Sequence, residues 1–150
     1  MTMTNRMVVM LMTLLGLAVT AGAADDKLAT NLQGVVQENV RAYDARDTDA
    51  FLRTLHPQSP GFEATKAILS DQFREGDIKV TLVDFKYMGH DDEFAVARVK
   101  MKTVAPPGST GFQSNVTDSV LLFHRDEAAR AWKLWSDDVL GVEFVESAPK

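Results

Sequence analysis

The chain contains no cysteine, only three histidines, two tyrosines and two tryptophans. Without thiols there can be no disulfide staple, no thiolate nucleophile and no cysteine-bearing zinc site, so the fold must stand on its core. The histidines stand at 56, 90 and 124, so no pair has the i, i+4 spacing of a helical zinc motif. No glycine-rich phosphate loop and no serine nucleophile elbow is present. Basic charge is scarce too: 16 Lys+Arg face 21 Asp+Glu, a net charge of −5. That balance leaves no electrostatic footprint for nucleic acid. No apolar run reaches the roughly 20 residues that a membrane-spanning helix needs. Neither a metal nor a cofactor nor a nucleic-acid partner is expected.

What is there begins with an export signature. Arg6 precedes an almost unbroken apolar run over residues 7–19, and Ala21-Gly22-Ala23-Ala24 then leads into the acidic pair Asp25-Asp26. A basic start, a short apolar core and small residues before a charged boundary form the pattern that a signal peptidase reads. Residues 1–24 are therefore expected to be a signal peptide, and residues 25–150 a single exported domain, periplasmic or secreted, with no membrane association after cleavage. Loss of Arg6 would leave 15 basic residues against 21 acidic ones, a net charge of −6.

The next segment has helical periodicity. Leu28, Leu32, Val35, Val36, Val40 and Tyr43 fall on one stripe, with Asp25 and Asp26 placed to cap its N-terminus. A short second helix starts near Thr48 and carries Phe51, Leu52 and Leu55. His56-Pro57 ends it. Ser59 and Pro60 start a third helix with Phe62, Ile68, Leu69 and Phe73, and Gly76 is its stop.

The period then changes to alternation. Residues 78–88, 94–104, 112–124 and 131–139 read as four strands, with 142–145 extending or following the last. In the first, Val80 and Leu82 share one parity while Val83, Phe85 and Tyr87 share the other, which predicts a bulge. In the second, Ala95, Ala97, Val99 and Met101 oppose Arg98, Lys100 and Lys102. In the last, Trp132, Leu134 and Ser136 oppose Lys133, Trp135 and Asp137, which turns Trp135 outward. Helices followed by strands joined by short turns predict an α+β fold: three N-terminal helices on a curved antiparallel sheet of four or more strands.

Two stretches carry a family resemblance. Thr117-Asp118-Ser119-Val120-Leu121-Leu122-Phe123, a polar turn and Ala131-Trp132-Lys133-Leu134 resemble the late hairpin of the nuclear transport factor 2-like superfamily, which includes SnoaL-like polyketide cyclases and steroid-isomerase-like proteins. Residues 43–52 are similar to its first helix-to-helix junction. The glycine usual in the last hairpin turn is replaced by Asp126-Glu127-Ala128-Ala129-Arg130. The resemblance implies a cone-shaped α+β barrel with a pocket in the cone and frequent homodimerisation through the sheet. Members range from isomerases and dehydratases to binding proteins, so fold alone does not decide function.

The expected function is therefore binding of a small apolar or acidic molecule, or of a protein partner, in the cone. Phe62, Phe73, Tyr87, Met101 and Trp132 are the expected pocket residues. The enzymatic alternative is an isomerase, dehydratase or cyclase with Asp118 or His56 as base and Tyr43 or Tyr87 as donor. Asp118 shares parity with Val116, Val120 and Leu122, and a carboxylate among apolar neighbours would have its pKa raised toward neutrality. His56 is near neutrality unperturbed, but it also suits a helix C-terminus. His90 and His124 look solvated. The third alternative is an interaction module working through the outer sheet face, around Trp135, Arg98 and Lys100.

Overall fold

A computed structural model describes residues 17–74, 78–108 and 112–145. Helix α1 spans Leu17–Ala45, α2 Thr48–Thr54 and α3 Phe62–Arg74. They are followed by β1 (Lys79–His90), β2 (Phe94–Val104), β3 (Asn115–Asp126) and β4 (Ala131–Phe144). The strands form one antiparallel sheet in the order β1-β2-β3-β4. The predicted α+β order is thus observed, with the sheet curved but not closed into a barrel.

The start of α1 differs from expectation. It runs unbroken from Leu17, so Asp25 and Asp26 lie inside the helix rather than at its cap. The Ala- and Leu-containing run before Asp25 favours helix, and one glycine is too weak to stop it. Residues 1–16 of the expected targeting segment lie outside the described residues, as does the expected stop at Gly76. Among the described residues no helix is long and apolar enough to cross a membrane.

α1 ends where Arg46 takes a positive φ of 57° and Asp47 N–H donates to the Ala42 carbonyl. Asp47 then caps α2 by accepting from the Ala50 N–H at 2.9 Å. The α2–α3 turn pairs with the free edge of β4: Leu55 bridges Leu134, and the His56 N–H donates to the Leu134 carbonyl at 2.8 Å. α3 begins at Phe62, two residues later than Pro60, and buries Leu69 while leaving Ile68 exposed.

The core joins α1 to the inner sheet face. Leu32 and Val36 pack on Ala95, Ala97, Val99, Leu121 and Phe123. Two alanines in the first half of β2, both fully buried, let the helix lie close to the sheet.

Bulges account for the curvature. The predicted one in β1 is at Val83, skipped between the Leu82–Met101 and Asp84–Lys100 pairs. A second is at Met88, and β4 has two more, at Trp135 and Leu140. All four sit on the outer strands, so these carry extra residues relative to their inner neighbours and must bend around them. Val83, Met88 and Leu140 are exposed, whereas Trp135 is half-buried.

Candidate functional site

A cavity of about 340 Å³ lies between the helices and the inner face of the sheet. α1 contributes Val36 and Asn39, α2 and its turn contribute Phe51, Leu55 and residues 59–61, and α3 contributes Thr65. Met101, Leu121 and Leu134 floor it, and Trp135, Ser136 and Asp137 form its β4 side. A second hollow, of about 420 Å³, holds Tyr43, Thr103, Asn115 and Thr117. Met101 and Thr117 are register partners, so the two hollows meet across that pair. The first is the more enclosed and the more apolar, which suits an organic ligand.

Asn39 is fixed by its neighbours. Its Nδ2 donates to Thr54 Oγ1 at 2.7 Å, and Thr54 Oγ1 donates in turn to the Phe51 carbonyl at 2.6 Å. Asp137 enters the cavity because of the Trp135 bulge. Before the bulge Leu134 pairs with inward Phe123, and after it Asp137 pairs with inward Leu121. A one-residue insertion reverses the facing of the residues that follow it, here as far as the next bulge at Leu140.

Of the expected pocket residues, Met101 alone lines this cavity. Tyr87 and Trp132 pack against the core, Phe73 lies edge-on to Tyr43, and Phe62 opens α3 half-buried. The expected catalytic residues are not brought together. Asp118 faces outward, where Arg98 clamps it: Nε donates to Oδ1 at 2.7 Å and Nη2 to Oδ2 at 2.6 Å. Arg98 holds the Asp118 carboxyl below the usual carboxylate range, the opposite of the rise that a base would need. Lys100, also on the outer face, lowers it further. Asp118 does share its face with Val116, Val120 and Leu122, but that apolar row lies on the side away from the helices.

Tyr43 is packed between Phe51 and Phe73, and burial, with Asp44 nearby, pushes its hydroxyl pKa up. Tyr87 hydrogen-bonds His90, whose Nδ1 lies 3.7 Å from Asp25. His56 is only 4% exposed, in a ring cluster with His124, Phe94 and Trp135. Burial pushes its pKa down, helped by His124 and Lys133 and opposed by Asp126. His124 is not solvated as expected: its Nδ1 is buried and has no hydrogen-bond partner among the described residues. Trp135, expected as an open outward anchor, is partly covered by this cluster.

Sequence parity missed Asp137 and Asn39. Asn39 is one helical turn from both Val35 and Val36, so the apolar stripe of α1 already pointed to it. Nothing in the sequence marked the bulge that turns Asp137 inward. Among the described residues no group of three His, Asp or Glu side chains is arranged to hold a metal ion.

Comparison with known proteins bears on the whole domain. The family model for the anti-sigma-I factor RsgI9, C-terminal domain, matches residues 34–145. None of the curated proteins matches the chain by sequence. Among solved structures, an NTF2-like protein with a cystatin-like fold from Novosphingobium aromaticivorans is 16% identical, covering 86% of this chain and 90% of its own at a TM-score of 0.60. An NTF2-like protein from Pseudomonas putida KT2440 is 11% identical, with coverages of 76% and 86% and a TM-score of 0.62. A ketosteroid isomerase-like protein from Erwinia carotovora atroseptica is 12% identical, with coverages of 75% and 96% and a TM-score of 0.54. At these identities the likeness establishes the fold, which is the nuclear transport factor 2-like, cystatin-like α+β arrangement that the resemblance implied.

Proposed function

This chain belongs to the anti-sigma-I factor RsgI9 C-terminal domain family, and we propose that it is a binding domain that takes a small molecule in the cavity under its helices. The cavity supports this reading: it is organic-ligand-sized, apolar at its floor, and edged by a few polar groups. An isomerase or dehydratase needs a base and a donor converging on one dry pocket. Asp118, His56 and Tyr43 instead stand on the outer sheet face, in the ring cluster and in the second hollow. The domain is proposed to act outside the cytoplasm, on the strength of Arg6, the apolar run after it and the small residues before Asp25. A second reading, recognition of a protein partner, is favoured by Val139, Val142 and Phe144, all exposed along β4.

Thermal-shift titration of the full chain against a broad panel of small organic molecules tests the proposal. A ligand at one hundred times its Kd adds about 2.7 kcal/mol of stability. Thr65→Trp, which fills the cavity, is expected to abolish the shift, whereas Thr103→Trp in the second hollow leaves it intact. No shift with any compound overturns the cavity reading in favour of a protein partner.

A further inference from the structure

The charge inventory of the cavity restricts its ligand. Asp137 is the one ionisable side chain in the lining, which contains no lysine, arginine or histidine. Across the sheet it faces Leu121, an apolar neighbour. Its carboxylate has no hydrogen bond or ion pair among the described residues. The acidic residues already described are different: Asp118 is neutralised by Arg98, and Asp126 by Lys133 at 2.8 Å.

Asn39 adds a second acceptor. Thr54 uses its hydroxyl hydrogen on the Phe51 carbonyl, so toward Asn39 it can only accept. That fixes the amide with its NH₂ on Thr54 and leaves Oδ1 without a donor among the described residues. Ser59, Thr65 and Ser136 can act either way. Aromatic rings from Phe51 and Trp135 complete the lining, and ring faces attract cations. A carboxylate, an amide oxygen and aromatic rings around an apolar floor repel an anion, tolerate a neutral molecule and favour a positive one.

We infer that the cavity takes a small organic cation, an amine with an apolar body, whose ammonium group meets Asp137 while its body lies over Met101, Leu121 and Phe51. This rests on the cavity reading and narrows it, since the acidic ligands expected from the sequence are then the ones excluded. Asp137 stands at the exposed mouth, so the ammonium stays partly hydrated and the preference is moderate.

Three probes of one shape test it on the full chain by calorimetry: 3-phenylpropylamine, 3-phenylpropanol and 3-phenylpropanoate. The amine is expected to bind about tenfold more tightly than the alcohol, equivalent to about 1.4 kcal/mol, with the carboxylate weakest. Added salt narrows the gap. Asp137→Asn removes the preference for the amine without changing the alcohol, whereas Asp138→Asn, on the outward-facing neighbour opposite Val120, leaves it intact. An amine preference that survives Asp137→Asn, or falls equally with Asp138→Asn, overturns the inference. So does tightest binding of the carboxylate. In each case binding that Thr65→Trp abolishes leaves the cavity reading standing. If no probe binds, the inference falls alone when other panel compounds give a shift, and together with the cavity reading when none does.

Discussion

The rings of His56 and His124 meet edge to face with centroids 4.6 Å apart, and His124 stacks in turn on Trp135 at 4.7 Å. The contact exists because the α2–α3 turn is tied to β4 through the His56 N–H and the Leu134 carbonyl. The same turn supplies Ser59, Pro60 and Gly61 to the cavity, so the ring cluster anchors one wall of the candidate site.

His56 in that cluster and Asp126 near it make stability depend on pH in two windows. Burial lowers the His56 pKa below its ordinary value of 6.5, so the unfolded chain binds the proton more readily. The contribution of neutral His56 is complete above 6.5 and is lost as the pH falls from there through the lowered value. Asp126 is held at about 2, first by the hydrogen bond from Lys133, against an ordinary 3.8. Its contribution is complete above 3.8 and is lost as the pH falls toward 2. Tm measured from pH 8 to pH 2 is expected to decline in two steps. His56→Gln should flatten the upper one and leave the lower one in place. A Tm that is level from pH 7 to pH 5 in the parent protein would show that His56 titrates as it does in the unfolded chain.

The last hairpin turn offers a backbone test. Arg130 takes a positive φ of 51° there, and Asp126 Oδ1 accepts from the Ala129 N–H at 3.0 Å. A left-handed conformation costs a non-glycine residue roughly 1–2 kcal/mol. Glycine removes that strain but loses about 0.5–1 kcal/mol to its freedom in the unfolded chain. Arg130→Gly is therefore expected to leave stability unchanged or raise it by up to about 1.5 kcal/mol by denaturant unfolding. Arg130→Val should destabilise, because a β-branched side chain fits that region worst. Equal losses in both variants would mean that the arginine side chain, not the backbone, holds the turn.

Asp118 separates the binding reading from the enzymatic one. Its clamp with Arg98 lies on a half-exposed sheet face, where ion pairs contribute little. Asp118→Asn is expected to shift Tm only slightly and to leave the affinity of any cavity ligand unchanged in calorimetry. A tenfold loss of affinity would return Asp118 to the site.

Much of this architecture was legible because it depends on short-range chemistry. The stripe from Leu28 to Tyr43, the helix start at Thr48 and the alternation of Ala95, Ala97 and Val99 express short-range signals directly. The β1 bulge was legible for the same reason, since the apolar parity visibly switches at Val83. β4 gave no such sign. Trp135 reads equally well as a paired residue or an inserted one, because neither parity around it is consistently apolar.

Composition and periodicity by themselves determined the order of elements, the absence of thiol chemistry and the apolar faces, since each depends on residues near one another in the chain. Tertiary structure decided which face the helices cover, and with it the fate of the candidate site. It put Asp118 outside with Arg98, buried His56 against His124 and, through one extra residue at Trp135, turned Asp137 toward the cavity. The physical reason is that sheet periodicity gives two faces but not which is inside, and that a single bulge exchanges them for the residues beyond it until another bulge intervenes.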